Sequence, residues 1–190
     1  MALEGDRIRL RELREEDYRL LVDLRNDLAT QGWSRTLPPD FTLGMYRRRF
    51  DAREYSTHRD WAIFVVEDRE TGRAVGSISY SDVQDRFSAT IGIALERSVW
   101  GTGIATEASE LLLRFLFVEL GMRVVRMWTQ SGNGRMLGSA RKLGFSEAVR
   151  EREAVYKDGE LRDNMMLDLL REEWFDLHPE EEDRLSDPFR

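Results

Sequence analysis

The amino-acid sequence predicts an α/β fold in which a mixed sheet of about seven strands is flanked by helices in a three-layer arrangement. Three strand-like segments between residues 61 and 95 are joined by turns too short for a helix, so we expect them to pair antiparallel. A long amphipathic helix and another strand-like segment follow, and a helical crossover of this kind joins parallel strands. The predicted sheet is therefore antiparallel in its N-terminal strands and parallel in its central pair.

The first sixty residues predict one strand and two helices around a loop. Alternation of Ile8 and Leu10 indicates an entry strand over 7–13. Carboxylates at 15–17 would begin a helix that ends near Leu28. The leucines expected on its buried face are Leu20, Leu21, Leu24 and Leu28. A loop over 29–41 follows, and then Thr42 would cap a short helix that includes Tyr46 and Phe50.

The rest of the chain alternates strand-like and helical patterns. The predicted strands are 61–67, 73–83, 88–95, 122–130, 145–156 and 161–170, and the predicted helices are 102–120, which Gly121 ends, and 133–143. The length suits one domain, which we expect over 1–175, followed by an acidic tail over 176–190. Trp174 and Phe175 would dock the start of this C-terminal segment, and its prolines and acidic run indicate a mobile remainder.

Composition excludes several classes of protein. Without cysteine there can be no disulfide or thiolate chemistry, and the only histidines, His58 and His178, argue against a histidine-rich metal site. The net charge of -7 argues against nonspecific nucleic-acid binding. No apolar run approaches the roughly 18 residues of a spanning helix, and the charged N-terminus does not resemble a signal peptide. We expect a cytoplasmic protein with no membrane or nucleic-acid partner.

A glycine-rich segment from Trp100 to Ala105 separates a predicted strand from the long helix. A helix N-terminus after such a turn is an anion site, because its first N–H groups lack partners and the helix dipole is positive there. A Walker loop would need Lys and Ser or Thr after Gly103, where Ile104 follows instead. A Rossmann fingerprint would need a third glycine at Thr106 and an acidic residue after the next strand, and neither is present.

The same segment resembles the Q/R-x-x-G-x-G/A loop of the GNAT superfamily of N-acetyltransferases, with Trp100 at the position of Gln or Arg. A second motif, Asn133 followed by Lys142-Leu143-Gly144-Phe145, is similar to the N-x-x-S-x-x-x-x-x-K-L-G-F of the ribosomal-protein N-terminal acetyltransferase branch. Two motifs in the family's order and spacing rarely arise by chance. The resemblance implies a GNAT-like fold.

The resemblance also implies acetyl-CoA as acyl donor. Backbone amides of the glycine-rich loop would receive its diphosphate, the strand ending at Leu95 would pair with its pantetheine arm, and Asn133 would contact that arm. The residues expected to bind it are Ile93, Leu95, Trp100, Gly101, Thr102, Gly103, Ile104, Ala105, Thr106, Asn133 and Lys142. Arg97 and Arg135 are further candidates for the phosphates.

The proton-transfer residues of that branch are absent. Its serine corresponds to Met136, its glutamate to Val155, and a frequent strand glutamate to Thr90. We name Glu153 and Tyr156 as catalytic candidates, because Glu153 would share a strand face with Val155 and Tyr156 could protonate the thiolate, although a solvent-facing charge is the more common explanation of a residue such as Glu153. Weaker candidates are Tyr80, Asp82, His58 and Glu96.

The predicted function is acetyl-CoA-dependent N-acetylation by direct attack of a primary amine on the thioester, without a metal. The acceptor is a protein N-terminus or a small-molecule amine, and residues 29–60 and the 153–163 hairpin should line its pocket. Contributions to that pocket are expected from Trp33, Tyr46, Trp61 and Asp163. The alternative is a non-catalytic acyl-CoA sensor or scaffold with the same fold. A homodimer is also expected, from Trp174, Phe189 and open sheet edges.

Overall fold

The computed structural model describes residues 2–33, 41–51 and 60–186. Its strands are β1 (Leu3–Glu4), β2 (Ile8–Glu12), β3 (Ala62–Asp68), β4 (Ala74–Gln84), β5 (Ser88–Leu95), β6 (Val124–Gln130), β7 (Ser146–Lys157) and β8 (Glu160–Leu170). Its helices are α1 (Tyr18–Asn26), α2 (Leu28–Gln31), α3 (Leu43–Asp51), α4 (Ile104–Arg114), α5 (Gly134–Lys142), α6 (Arg171–Leu177) and α7 (Pro179–Ser186). The predicted elements are therefore confirmed, with boundaries that differ by a few residues.

The strands of this described portion form one sheet in the order β1-β2-β3-β4-β5-β6-β8-β7. Every neighbouring pair is antiparallel except β5 and β6, whose residues 88–91 pair in parallel with 124–127. The predicted mixed sheet with a parallel central pair is confirmed. The additional strand is β1, which has only two residues and gave no alternating pattern.

Helices cover both faces of the sheet and make three layers. On one face, Phe115 at the end of α4 lies 6.2 Å from Phe64 and 6.4 Å from Tyr80, measured between ring centroids. Because side chains alternate along a strand, Ser79 and Ser81 of β4 point to the opposite face, where they share a cavity with Leu21 of α1. After Arg114 the chain continues as one π-helical turn, Phe115–Glu119, which completes the predicted long helix.

The first helical segment differs from its prediction. It ends at Asn26, because Asp27 is extended and begins α2 instead. Leu28 is consequently 64% exposed, and Val22 joins Leu21 and Leu24 among the buried residues of α1. The predicted loop is helical at its start, and its residues 34–40 lie outside the described residues. The predicted cap at Thr42 is present, since the Met45 N–H lies 3.2 Å from Thr42 Oγ1.

The described part of the C-terminal segment, up to residue 186, is helical. Trp174 and Phe175 dock as predicted and are 2% and 7% exposed. Farther along, α7 brings Glu181 within 2.9 Å of Arg114 of α4, and Glu181 is 8% exposed; the mobility of the tail remains a prediction. None of the described helices is long and apolar enough to span a membrane.

The described residues do not present the apolar surfaces from which a homodimer was expected. Trp174 is buried, and Phe189 lies outside the described residues. The edge strand β7 carries charged side chains and register shifts at 147–149 and 151–155, features that discourage pairing with another strand. The homodimer remains a prediction.

Candidate active site

A gap opens between β5 and β6 where their pairing ends at Ile91 and Met127. Beyond this point β5 stays paired with β4 as far as Leu95, while β6 stays paired with β8 as far as Gln130. Each strand is thus held by its outer neighbour while the two diverge from each other. The divergence creates a cleft at the carboxyl ends of the only parallel pair in the described sheet.

One edge of this gap is the unpaired backbone of β5. The Glu96 N–H donates to the Val75 carbonyl at 2.9 Å, and antiparallel strands direct alternate residues to the same neighbour. Ile93 and Leu95 therefore direct their backbone groups away from β4 and into the gap. The Leu95 carbonyl accepts from Trp100 Nε1 at 2.9 Å, which leaves Ile93 to present both an N–H and a carbonyl.

The gap leads to a cradle of backbone amides at the start of α4. Gly101 and Gly103 have φ values of 77° and 90°, a conformation that favours glycine. The first helical bond runs from the Glu107 N–H to the Gly103 carbonyl at 3.1 Å. Across residues 101–106, the amides of Gly101, Gly103, Ile104, Ala105 and Thr106 have no acceptor among the described residues. These groups and the helix dipole favour a bound anion.

Thr102 departs from its predicted role in this cradle. Its N–H lies 3.4 Å from the Val99 carbonyl and its hydroxyl donates to the same oxygen at 2.7 Å, so its amide closes a turn instead of facing a ligand. Ile104 contributes only its amide, because its side chain is 6% exposed and belongs to the core.

Arg7, at the start of β2, fixes the geometry of this turn. Its Nη1 donates to the Thr102 carbonyl at 2.7 Å, and its Nε donates to Glu107 at 2.9 Å. Burial alone would raise the pKa of Glu107, but hydrogen bonds from the backbone and side chain of Arg7 outweigh that effect and lower it. A Cβ on Gly103 would lie 3.1 Å from Arg7 Nη2, a tight contact that a small shift of the arginine side chain would relieve, so the φ value is the main reason for glycine here.

A cavity of about 410 Å³ joins the gap to the amide cradle. Asn133 forms part of its wall and caps α5, accepting from the Met136 N–H at 3.3 Å and donating to Thr129 Oγ1 at 3.0 Å. Thr106 and Ser139 lie opposite each other on α4 and α5, with their hydroxyl oxygens 3.0 Å apart. The predicted residues that line this cavity are Ile93, Leu95, Trp100, Gly101, Gly103, Ala105, Thr106, Asn133 and Lys142.

Two further cavities adjoin this cavity, which is called the donor cavity below after the role expected for it from the sequence motifs. A middle cavity of about 530 Å³ shares Trp33, Ile93 and Asn133 with it. An outer cavity of about 750 Å³ shares a wall of Arg25, Gln31, Ser77, Ser79 and Ala94 with the middle one. The three together form one continuous groove from the amide cradle to the face under α1.

Of the residues expected at the acceptor pocket, Tyr46 and Trp61 line the outer cavity, whereas Asp163 lines none of the three cavities and is paired with Arg150 at 2.8 Å. Sequence reasoning missed the serines of β4. Their alternation at positions 77, 79 and 81 in an otherwise apolar strand was the available signal.

The structure does not bring the two catalytic candidates to this groove. Glu153 has a φ of 51° within a bulge of β7, which breaks the alternation that would have aligned it with Val155. Glu153 is exposed, its N–H donates to Asp163 Oδ1 at 3.0 Å, and Tyr156 is 68% exposed. Neither residue lines any of the three cavities.

The weaker candidates are placed as follows. Tyr80 packs against Phe115 and is 5% exposed, and this burial raises the pKa of its hydroxyl. Asp82 is exposed at the outer cavity, and Glu96 pairs with Arg73 at 2.8 Å. His58 lies outside the described residues.

The phosphate candidates divide into two kinds. Arg97 is committed to Asp27, with Nη2 2.6 Å from the carboxylate. Arg135 and Lys142 line the donor cavity, and the Arg135 guanidinium lies 4.0 Å from the centroid of the Trp100 ring.

A splayed pair of parallel strands that leads to the amides of a helix N-terminus is the architecture expected of an acyl-CoA-dependent N-acyltransferase. The profile of the family described as "Acetyltransferase (GNAT) domain" matches residues 7–146. The chain belongs to this family, and the resemblance seen in its motifs is confirmed.

A relative in Bacillus subtilis, YdaF, is named provisionally as a ribosomal N-acetyltransferase. It is 30% identical over 104 residues, which are 54% of this chain and 57% of YdaF, so the match spans little more than half of that protein.

Solved structures share the fold. A spermidine N-acetyltransferase from Vibrio cholerae, in complex with CoA and spermine, has a TM-score of 0.82 at 18% identity over 90% of this chain and 99% of that one. RimL, a ribosomal L7/L12 α-N-protein acetyltransferase in complex with coenzyme A, has a TM-score of 0.77 at 18% identity over 90% and 98% of the two chains. At these identities the likeness shows the common fold.

Proposed function

We propose that the protein is an acetyl-CoA-dependent N-acetyltransferase in which a primary amine attacks the thioester directly. The observation that carries the proposal is the continuity between the free edge of β5 at Ile93 and the amide cradle at 101–106. The acyl donor has an extended arm that bears amides, with a diphosphate at its end. The arm matches the free edge of β5, and the diphosphate matches the amide cradle. Family membership supports the same donor.

The residues present fit this donor. The amides from Gly103 to Thr106 lack acceptors within the described chain, and anions bind to such groups. The gap beside Ile93 offers the hydrogen bonds of an added strand, which suit the two amides of a pantetheine arm. Gly101, Gly103 and Gly138 have no side chain that would narrow the cavity. A Cβ added at Gly101 or Gly138 would meet nothing within 4 Å, so the space beside both residues is open.

Acetyl-CoA, when bound, supplies the acetyl group as a thioester. The Ile93 N–H would then donate to the thioester oxygen as negative charge develops there during attack. The amine nitrogen forms a bond to the carbonyl carbon, the carbon–sulfur bond breaks, and the proton that the amine loses goes to the sulfur through solvent. The acceptor would approach from the outer cavity through the middle cavity, since Ser79 and Ala94 line both.

We do not assign the proton transfer to Glu153 or Tyr156, because neither lines the groove. The solved neighbours are named for acetylation of a polyamine and of a protein α-amine, and both acceptors are primary amines. A primary amine is therefore the proposed acceptor here, either a protein N-terminus or a small molecule.

Two glycines allow a matched test of donor binding. Gly101 and Gly72 have φ values of 77° and 68°, are exposed, and would have nothing within 4 Å of a Cβ added to either residue. Gly101→Asp and Gly72→Asp therefore impose the same strain and the same charge, but only the first lies at the cradle. We expect Gly101→Asp to weaken CoA binding roughly tenfold or more through repulsion of the diphosphate, and Gly72→Asp to leave it unchanged.

Binding and turnover are measured separately. In the wild type, CoA at about 100 times its Kd should stabilise the fold by about 2.7 kcal/mol in thermal unfolding. Thiol release from acetyl-CoA with a panel of primary amines then tests catalysis. Stabilisation without acceptor-dependent release would identify the non-catalytic sensor, and no stabilisation by CoA would refute the proposal.

A further inference from the structure

A row of apolar side chains leads away from the middle cavity across three strands. Trp128 of β6 pairs with Met166 of β8, and Met166 pairs with Val149 of β7. Residues directly opposite each other in antiparallel strands point to the same face of the sheet, so these three side chains form one line, called the apolar row below. It is roughly 10 Å long, because neighbouring strands are about 4.8 Å apart. Trp128 and Val149 are 42% and 41% exposed, so the row is accessible from solvent.

The apolar row begins beside the gap between β5 and β6. Trp128 follows Met127, the last residue of β6 that pairs with β5, and its counterpart in β5 is Gly92. A Cβ added to Gly92 would meet only Ser79 Oγ, at 3.7 Å, so the space across the gap from Trp128 is open. Trp128 and Gly92 line the middle cavity together with Ile93, which presents its N–H to the gap. The Trp128 side chain thus lies next to the point where an amine would reach the thioester.

The two sides of the middle cavity differ in polarity. Toward β4 it is lined by Ser77 and Ser79, which also line the outer cavity. Toward β8 it is lined by Trp128, from which the apolar row runs to the edge strand β7. The next pair along β6 and β8 on this face, Arg126 and Asp168, is charged. An exposed apolar strip that begins in a cavity and is flanked by polar groups is typical of a surface that binds an apolar ligand group.

Asn164 supplies a polar group beside the Trp128 ring. It lies diagonally across from Trp128 on the same face, lines the middle cavity and is 3% exposed. Its Nδ2 donates to Glu151 Oε2 at 2.8 Å. Because a carboxylate can only accept, this bond orients the amide so that Oδ1 points away from Glu151. Oδ1 has no donor among the described residues, whereas buried polar groups are normally bonded, so it is available to an N–H group of a ligand.

We propose that Asn164 and Trp128 bind the acceptor amine, an assignment that rests on the proposed function and narrows its substrate class. Asn164 Oδ1 accepts an N–H of the amine and directs the nitrogen toward the thioester. The apolar row receives an apolar group that the acceptor carries close to this nitrogen. The acceptor is therefore a primary amine with an aryl or alkyl substituent, either a free molecule or the first residue of a peptide.

Asn164 stabilises charge during the transfer and exchanges no proton. The amine nitrogen becomes positive as it bonds to the carbonyl carbon, and its hydrogen bond to Oδ1 is then stronger than that of the neutral amine. The carbon–sulfur bond breaks, and the proton that the nitrogen loses goes to the sulfur through solvent. Glu151 is a positioning residue, because it holds the amide of Asn164 without touching the amine.

Selectivity among amines tests the apolar row. Thiol release from saturating acetyl-CoA is measured with 2-phenylethylamine and ethanolamine, and with two peptides that differ only in beginning with phenylalanine or serine. We expect kcat/KM to be about tenfold higher for the apolar member of at least one pair, the effect of burying part of an aryl group. The pair that shows the preference distinguishes a free acceptor from a peptide. No preference for the apolar member in either pair would overturn the proposal.

Trp128→Ala should reduce this preference about tenfold, and Trp128→Leu should reduce it less, because leucine keeps an apolar surface. Phe87→Ala is the matched control, since Phe87 is also an exposed aromatic residue, at 45%, and lines none of the three cavities. It should leave the preference unchanged. If Trp128→Ala lowers kcat/KM equally for both members of the pair, its role is structural and the assignment fails.

Asn164→Leu should lower kcat/KM about tenfold for both members of the pair, because the amine is common to them. Glu151→Leu should cause a similar loss, and Glu151→Gln a smaller one, because its carbonyl oxygen can still accept from Nδ2. The double variant with leucine at both positions should be no worse than Asn164→Leu alone. Additive losses, or equal losses for the two variants at Glu151, would contradict the positioning role.

Calorimetry with CoA accompanies every variant and should give the wild-type dissociation constant. If Asn164→Leu fails to bind CoA, the two variants at Glu151 decide the assignment by themselves. No CoA binding by the wild type would refute the donor site, and CoA binding without release to any amine would identify the sensor; both results remove the inference as well. If a second copy of this chain covers the apolar row, Trp128→Ala would lower the mass measured by light scattering and leave the preference among amines unchanged, which would also overturn the proposal.

Discussion

Asp27 and Arg97 are joined by two hydrogen bonds, with Arg97 Nη2 and Nε 2.6 and 3.3 Å from the carboxylate. The same carboxylate caps α2 by accepting from the N–H groups of Ala29 and Thr30. Arg97 lowers the pKa of Asp27 well below its usual range. The Asp27 side chain thus caps α2, which forms part of one wall of the donor cavity. Through Arg97 it also holds the turn that precedes the amide cradle.

Two substitutions separate these roles. Asp27→Asn keeps a good cap and removes the ion pair, which should cost at most about 1 kcal/mol at this exposure. Asp27→Ala removes both and should cost about 1 kcal/mol more. Urea unfolding at neutral pH measures the difference, and equal stabilities of the two variants would show that the cap contributes nothing.

A buried ion-pair network predicts a pH-dependent stability. Arg11 is 6% exposed and contacts Asp17 at 2.8 Å and Glu67 at hydrogen-bond distance. Burial alone would raise the pKa of both carboxyls, but hydrogen bonds from Arg11 outweigh it and lower both values. Groups with lowered pKa values stabilise the fold above their unfolded pKa, and that contribution is lost as the pH falls through the folded pKa.

Arg11→Met should therefore cost about 3 to 5 kcal/mol at pH 7, because it removes the ion-pair partner of buried Asp17 and leaves buried Glu67 with Arg9 alone. The deficit should narrow below about pH 5, where the carboxyls of the variant become protonated and neutral. Arg9→Met is the control, since the Arg9 side chain is 43% exposed and its loss should cost only about 1 kcal/mol. Denaturant unfolding at pH 7 and below about pH 5 measures the loss in the free energy of unfolding of each variant. A loss in Arg11→Met that does not depend on pH would contradict this account.

Gly138 predicts opposite effects on stability and on binding. Gly138→Ala should stabilise α5 by roughly 0.5 to 1 kcal/mol, because alanine loses less backbone entropy in a helix. Its methyl group would enter the donor cavity and weaken CoA binding, by roughly fivefold or more if the ligand cannot shift.

Gly44→Ala in α3 is the comparison for Gly138→Ala, because Gly44 also lies in a helix but lines none of the three cavities. It should gain stability with no change in CoA affinity. Thermal unfolding with and without CoA measures both quantities. Unchanged affinity in Gly138→Ala would place the donor away from Gly138 and the face of α5 that lines the cavity.

The strand, turn and helix start at the amide cradle were predictable because their signals are local. The bounds of β5 agree with the apolar run from Ser88 to Leu95. Gly101 and Gly103 adopt the positive φ values that glycine permits, directly before the helix they were expected to precede. Strand, turn and helix start are each determined by residues that are close neighbours in the chain.

The parts that could not be predicted depend on distant contacts. Arg97 was expected near the phosphates, but its partner Asp27 lies 70 residues earlier. Glu153 was aligned with Val155 by strand alternation, and a bulge opposite β8 removes that alignment. The gap between β5 and β6 follows from pairing of each strand with its other neighbour, which neither strand's own sequence reveals.

The most direct measurement of the central claim is a titration of the ¹⁵N-labelled protein with CoA, followed by amide NMR. We predict the largest shifts at the amides of Gly101, Gly103, Ile104, Ala105 and Thr106, with a second group at Ile93. Saturable binding that shifts amides elsewhere and leaves these unchanged would contradict the assignment of the cradle and the β5 edge to the acyl donor.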